Sequence, residues 1–487
     1  MLNYIYESLL CFRSNFRNTN TWTIFCMMIL GFIGTSEMIG VTSFCRFWGL
    51  GEPAYMTFLH FFRVSNWSLQ MLIMQWWAFI LNQNVVFKVQ GRAVVLGDHT
   101  YSPKDGCRMP GVVSLRQQSE TNSKPSYFRG HCWGAIGILV GSMISPFCLP
   151  LSLGLHLGML HIGKALESAI ERKSETMGTR IVKMAIDFAH TNSLPITLVL
   201  DAFFPSGKVF KLANSLWSID HHAPLVNLIV RAKKNYVGYF EFDPSQYKGW
   251  GPFPKYGDRI KLLEVFDHVQ FFKEIECIVY GKLETILITS MDLLWKPTGS
   301  TIRFVFAKTK LGPIVLMCSD VTQDPVAAVS LYCLRVRIEV MFDMLKNLIG
   351  AFCYRFWSKK MPKHSRKPLK NKKLKHVPAI NIPTVKKCWD GCERFVMSGA
   401  IALGLLQLVS LKFARDVWSQ YQGFLRTQSR ELPSERTVKN LISRYIINDI
   451  IFFPKNRIMR AIHARFFDVE TRSKDPAAKF ELDQYVA

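Results

Sequence analysis

Residues Tyr332 to Lys346 read Y-C-L-R-V-R-I-E-V-M-F-D-M-L-K, and Tyr332, Arg335, Glu339 and Lys346 decide how the rest of the chain is read. Each helical residue advances about 100°. Offsets of 3, 7 and 14 from Tyr332 then fall at roughly 300°, 340° and 320°, so all four polar side chains share about 60° of arc. Leu334, Ile338 and Leu345 point elsewhere and are free to bury. One face carries a carboxylate, two cations and a phenol. A carboxylate among phosphate-binding cations suits metal-assisted chemistry on a phosphodiester. A surface helix with intrahelical ion pairs is the plainer alternative. Choosing between them needs two further acids upstream.

The upstream chain supplies them. Arg92–Leu96 is a short apolar run that predicts a strand ending at Gly97-Asp98, followed by a polar, Pro/Gly-rich loop from His99 to Lys124. Trp133–Val140 and Phe147–Leu155 read as two buried strands. Lys173–Thr191 has helical apolar spacing at Ile181, Met184, Ala185 and Phe188. Pro195–Leu200 reads as a strand ending at Asp201, Ser206–Trp217 as a helix and Leu225–Arg231 as a strand. The order β-β-β-α-β-α-β places one aspartate after the first strand and one after the fourth. That is a ribonuclease-H-like order, an α/β (α+β) fold with a central mixed sheet and helices on its faces. From Tyr236 to Ser319 strands and Pro/Gly turns dominate, which predicts an inserted β-subdomain. Asp324 as N-cap and Pro325 at the first position start the helix that carries Glu339.

Six segments follow: residues 1–88, a helical and aromatic N-terminal domain suited to lie beside DNA; 89–235, the first part of the core; 236–320, the insertion; 321–358, the helix with Glu339; 359–383, a basic linker; and 384–487, a helical C-terminal domain. Lys359 to Lys375 holds nine Lys/Arg, two prolines and no acid, which favours a loop on phosphate backbone over a merely solvated one.

Composition agrees with a folded chain that meets a polyanion. The 487 residues allow two to four domains, and hydrophobic content is 49% with 13% aromatics. Lys+Arg number 61 against 36 Asp+Glu, a formal charge of +25, which points to nucleic acid or an anionic membrane surface. The 12 cysteines have no repeating spacing, and the closest pair, Cys388 and Cys392, has no matching Cys/His pair for zinc. No secretory leader pattern opens the chain, so reduced thiols in a cytoplasmic protein are expected. Gly130 to Gly163 lacks any charged residue and is long enough to span a bilayer. Pro146 and Pro150 interrupt it, and two buried strands with no membrane span are the expectation.

The spacing Y-x2-R-x3-E-x6-K resembles the YREK signature of a class of bacterial insertion-sequence transposases. G-D-H-T-Y-S-P-K around Asp98 looks like that class's first-Asp motif. Asp201, its following helix and L-I-V-R-A-K-K-N at Leu228–Asn235 look like the second. The resemblance covers about residues 90 to 350. It implies a ribonuclease-H-like core with a β-insertion before the Glu, and a DDE triad of Asp98, Asp201 and Glu339 holding two Mg²⁺ or Mn²⁺ ions. It also implies cleavage at element ends, strand transfer into double-stranded target DNA, and a homodimer assembled on DNA. Tyr332, Arg335 and Lys346 would contact phosphates, with Tyr332 no nucleophile. A Trp of the insertion would stack on a flipped base, with Trp250 and Trp295 both candidates. The alternatives are a metal-dependent nuclease without strand transfer and a catalytically silent DNA-binding relative. Rival acids are Asp320 for the second position, Asp343 as a support near Glu339, and Asp105, expected to be solvated. His99 could contact DNA, although a loop histidine usually meets only water.

Overall fold

The structure is a computed structural model and describes residues 1–37, 40–64, 66–116, 126–156, 175–218, 222–247, 249, 251–367, 376–424, 431–452 and 456–466. Its strands are β1 Lys88–Val89, β2 Arg92–Pro103, β3 Val113–Arg116, β4 Tyr127–Val140, β5 Phe147–Leu155, β6 Ile196–Leu200, β7 Trp217–Ser218, β8 Ala223–Pro224, β9 Val226–Arg231, β10 Val237–Glu241, β11 Tyr256–Lys261, β12 Lys273–Val279, β13 Lys282–Trp295, β14 Ser300–Thr309 and β15 Gly312–Cys318. Thirteen of them build one mixed sheet in the order β11-β10-β13-β14-β15-β9-β6-β2-β4-β3, with β1 on β2, β12 on β13 and β5 on β4.

At the centre, β2 and β4 pair antiparallel while β2, β6 and β9 run parallel. Parallel strands covered on both faces read as continuous apolar runs, and all five residues of β6 are buried. Helices Met177–Thr191 and Gly207–Ala213 supply the crossovers. Thr176 and Ser206 cap them, each hydroxyl accepting a backbone N–H three residues on. Gly97 is required by close approach: a Cβ there would lie 2.5 Å from Ile181 Cγ2 of the covering helix.

Two differences from the sequence reading matter. First, β2 runs on to Pro103, because Gly97 to Pro103 keep their ladder with Gly130 to Ile136 of β4. Asp98 therefore lies within β2, beyond the stretch Ala93–Leu96 that pairs with β6. Second, the strands after Tyr236 form no separate sheet. β15 pairs antiparallel with β9 (Leu316↔Arg231, Met317↔Val230, Cys318↔Ile229), so they prolong the sheet past β9's open edge.

Helices from both ends of the chain share one apolar core. Helix Ile382–Lys412 packs on β5 and on the N-terminal helices Thr19–Gly34 and Glu52–Val64. Trp76 and Trp77 donate indole N–H bonds to Pro150 and Leu151 carbonyls of β5, at 2.7 and 3.0 Å. One helix among the described residues, Ala379–Lys412, is long and apolar enough to cross a membrane. Its apolar window, of mean hydropathy 1.7, is 89% buried inside the fold.

The start of the basic run is docked, not free. Ser358 N–H bonds the Arg108 carbonyl at 3.2 Å and His364 N–H the Cys107 carbonyl at 2.9 Å. The Arg108 guanidinium donates to Lys359 and Met361 carbonyls. Residues 368–375, with Lys370, Lys372, Lys373 and Lys375, lie outside the described residues.

Candidate active site

Sheet register brings the two aspartates together. Leu96 pairs with Val199, so Asp98, two residues further along β2, and Asp201, just past the end of β6, stand side by side. Adjacent strands lie about 4.8 Å apart. Leu200 in turn pairs with Val230, which sets Arg231 next to Asp201.

The helix above them starts as its sequence dictates, with Pro325 at its first position and the Asp324 carboxylate accepting the Ala327 N–H at 2.7 Å. It is not one regular α-helix. Helix Pro325–Cys333 ends in a tight joint, where Arg335, Arg337 and Ile338 N–H groups bond carbonyls three residues back. Helix Val336–Asp343 follows, then a π-turn over Met344–Leu348. Overwinding before Glu339 and underwinding before Lys346 replace the uniform 100° step. Such deviations occur often at functional sites. Leu334, Ile338 and Leu345 are buried as expected.

The result is a convergence on Arg335. Its guanidinium is 2.7 Å from Glu339 Oε1, 3.2 Å from Asp98 Oδ2 and 3.9 Å from Asp201 Oδ1. Tyr332 donates its phenol O–H to Asp201 Oδ1 at 3.2 Å. Lys346 Nζ donates to Thr100 Oγ1 at 2.5 Å, two residues along β2 from Asp98. The side chains grade from 17% exposed at Arg335 and 20% at Asp98 to 52% at Glu339. The cluster thus opens to solvent on the Glu339 side.

Electrostatics follow from this placement. Burial pushes the Asp98 carboxyl up to about 6; the His99 N–H and Arg335 oppose the rise, and Asp201 and Glu339 add to it. Burial likewise pushes the Tyr332 phenol up to about 12, with Asp201 adding, so it remains a donor. For Arg335 burial lowers the pKa, but Asp201, Asp98 and Glu339 outweigh it and the net shift is upward. Burial lowers Lys346. A guanidinium among three carboxylates stays charged.

The rival acids fall elsewhere. Asp320 accepts from Asn227 Nδ2 at 2.6 Å and from Thr322. Asn227 pairs with Thr197, near the start of β6, so Asp320 sits at the opposite end of the sheet from Asp201. Asp343 accepts from Asn347 at 2.6 Å, and Asp105 is exposed. His99 is no loop residue. It lies in β2, stacks on Phe204 and hydrogen-bonds His156 Nδ1 at 2.8 Å. Burial, with Arg180 nearby, lowers it to about 3 and keeps it neutral. Its backbone N–H holds Asp98 Oδ1 at 2.7 Å.

Of the two tryptophans, Trp295 is 4% exposed and packs on Phe210 and Tyr236, which places it in the core. Trp250 lies outside the described residues.

Reading the sequence missed Thr100, Arg231 and Tyr280. Counting register from the paired strand ends would have found Arg231. Tyr280 stands at the β12–β13 turn with φ 49°, followed by Gly281 at φ 78°, a left-handed pair that suits a two-residue hairpin. It is half exposed and close enough to Arg335 and Glu339 to sense their charges. Only its Tyr-Gly turn signal was legible.

No protein-family model and no curated protein matches this chain.

Proposed function

We propose that the chain is a DNA transposase of the DDE type, with Asp98, Asp201 and Glu339 as its acids. The carrying observation is that all three carboxylates meet at one guanidinium. The strand order β5-β4-β2-β6-β9, three antiparallel strands then two parallel ones, supports a ribonuclease-H-like core. The strands that prolong the sheet before the Glu339 helix occupy the place of the expected insertion. The charge of +25 supports a DNA partner and, with it, a nucleoid-associated cytoplasmic setting; a dimer assembled on DNA ends follows from the resemblance alone.

Three carboxylates are hard oxygen donors of the kind that Mg²⁺ and Mn²⁺ take. The donor set fits by chemistry: Asp98 is pushed up partly by the other two acids, a strain that a divalent cation relieves. As placed, the positive charge among them is Arg335's, and no group of three metal-ligating residues is close enough to share an ion among the described residues. When bound, such ions would polarise the phosphodiester and lower the pKa of the attacking hydroxyl. The chain's own residues do the rest. Tyr332 and the His99 N–H orient Asp201 and Asp98. Lys346 and Arg231 set cations beside the acids for phosphate oxygens.

The test uses DNA that flanks the coding region, with supercoiled plasmid as a control. Asp98→Ala, Asp201→Ala and Glu339→Ala each abolish divalent-dependent cleavage while duplex affinity in EDTA stays within about twofold. Cleavage retained in any of the three removes that acid from the reaction. Cleavage without joined products makes the protein a nuclease.

A further inference from the structure

Beyond the acid cluster, the chain leaving the π-turn runs alongside the far half of β2. Lys346 meets Thr100, and Lys104 Nζ donates to the Phe352 and Tyr354 carbonyls. Residues 353–358 there carry no helix or ladder strand, and their burial alternates. Tyr354, Phe356 and Ser358 are buried, while Arg355, Trp357 and Lys359 are exposed. A period of two is that of an extended backbone, which sets outward side chains about 6.6 Å apart.

The inward side chains fix this strip firmly. The Tyr354 hydroxyl hydrogen-bonds His131 Nδ1 and accepts from Trp133 Nε1 at 3.1 Å. Phe356 packs on Phe62 and Phe395. Facing outward, Trp357 is 52% exposed, and among the described residues no aromatic ring or cation packs on it. From Arg355 to Lys367 there are six Lys/Arg and no acid. None of the six forms an ion pair among the described residues.

We propose that Arg355, Trp357 and Lys359 form a binding strip for an unpaired stretch of nucleic acid, with the indole stacked on a base and the flanking cations on its backbone. A large apolar face left open at this cost is explained by a partner with flat π-faces and negative charge. A membrane surface fits less well, because one indole on an extended backbone offers no amphipathic helix to lie in the interface. Lys104 is six residues past Asp98, so the strip lies about 20 Å along the sheet from the acid cluster. It is a second contact surface, and its function does not depend on cleavage.

The experiment measures binding in EDTA of the full chain to a fifteen-nucleotide oligothymidylate, to a duplex of the same length and to phosphatidylserine vesicles. Trp357→Ala weakens oligothymidylate binding roughly tenfold or more, Trp357→Phe keeps most of it, and duplex affinity moves less than about twofold. Arg355→Gln with Lys359→Gln lowers the slope of log K against log[salt] for the single strand by about 1.4, at 0.7 per contact. Equal loss of single strand and duplex in Trp357→Ala, no loss in either, or loss confined to the vesicles overturns the strip. An unchanged salt slope removes the two cations from it. Because no cleavage is measured, failure of the transposase reading leaves these results separately readable.

Discussion

Replacing Arg335 by alanine leaves three carboxylates facing one another without the cation that joins them. Removing one partner of a buried ion pair costs about 3–5 kcal/mol. Here the cost falls at the lower end, about 3 kcal/mol, because Asp201 and Glu339 keep 38% and 52% of their side-chain surface in water. The cost depends on pH with a defined sign. Arg335 favours the ionised acids, so its loss is felt where they are ionised. Asp98 has its carboxyl raised to about 6 from a usual 3.8. In the wild type, its share of stability is therefore present below the unfolded value and lost as pH rises through about 6. Without Arg335 that loss is larger, so the gap between variant and wild type opens as pH rises through about 6 and narrows towards pH 4. Urea unfolding in EDTA at pH 5 and pH 8 measures this, with Arg335→Lys as the charge-retaining control. If the acids hold the proposed ions, added Mg²⁺ raises the midpoint of Arg335→Ala more than that of the wild type, since an ion bound only by the native state adds stability. A variant as stable as wild type at pH 8, or one hurt more at pH 5, refutes Arg335 as the hub of the cluster.

Glu393→Gln flattens the pH dependence of stability. Burial pushes this carboxyl up to about 7 against the Leu155 N–H that bonds it, so the wild type loses stability between pH 5 and 8 and the variant loses less, as urea midpoints at both values will show. Trp295→Ala destabilises the fold by about 3–5 kcal/mol, as expected for a large buried aromatic. If the proposed transposase reading holds, it slows every DNA step alike, and a selective loss of one step in a kinetic assay would return Trp295 to the DNA path. Neutralising Lys367, Lys370, Lys372 and Lys373 together lowers the salt slope of duplex binding by about 3–4 if all four touch phosphate, at 0.9 each. An unchanged slope leaves this run as a solvated linker.

Part of this architecture is written locally and part is not. Phe147–Leu155 occupies the residues that its proline and glycine punctuation marks, and Asp324-Pro325 starts its helix where cap chemistry puts it. Those signals act within a few residues. The far half of β2 was hidden because its residues are polar. Its strand state comes from β4, a partner about 35 residues away in sequence. Ending the strand at Leu96 also made His99 look like a loop residue, when the ring is enclosed by Phe204 and His156. The tight joint at Arg335 and the π-turn before Ile349 leave no mark on a helical wheel, which assumes one uniform step per residue. Trp295 looked available because it falls in the expected insertion, where the resemblance implies a stacking tryptophan. The Phe210 and Tyr236 rings that enclose it come from other parts of the chain.

Asp98 in β2, Asp201 just past the end of β6 and Arg231 in β9 continue one row of the register. That row divides mutations by length into two kinds. A residue added in a connection outside the strands and helices, such as between Ala213 and Trp217, lengthens that connection and leaves the row intact. A residue added between Ala93 and Asp98, or between Ile196 and Asp201, turns an acid to the opposite side of the sheet, because side chains alternate faces. Descendants of this chain can therefore drift freely in the size of their loops while the count from each strand's first ladder pair to its acid stays fixed.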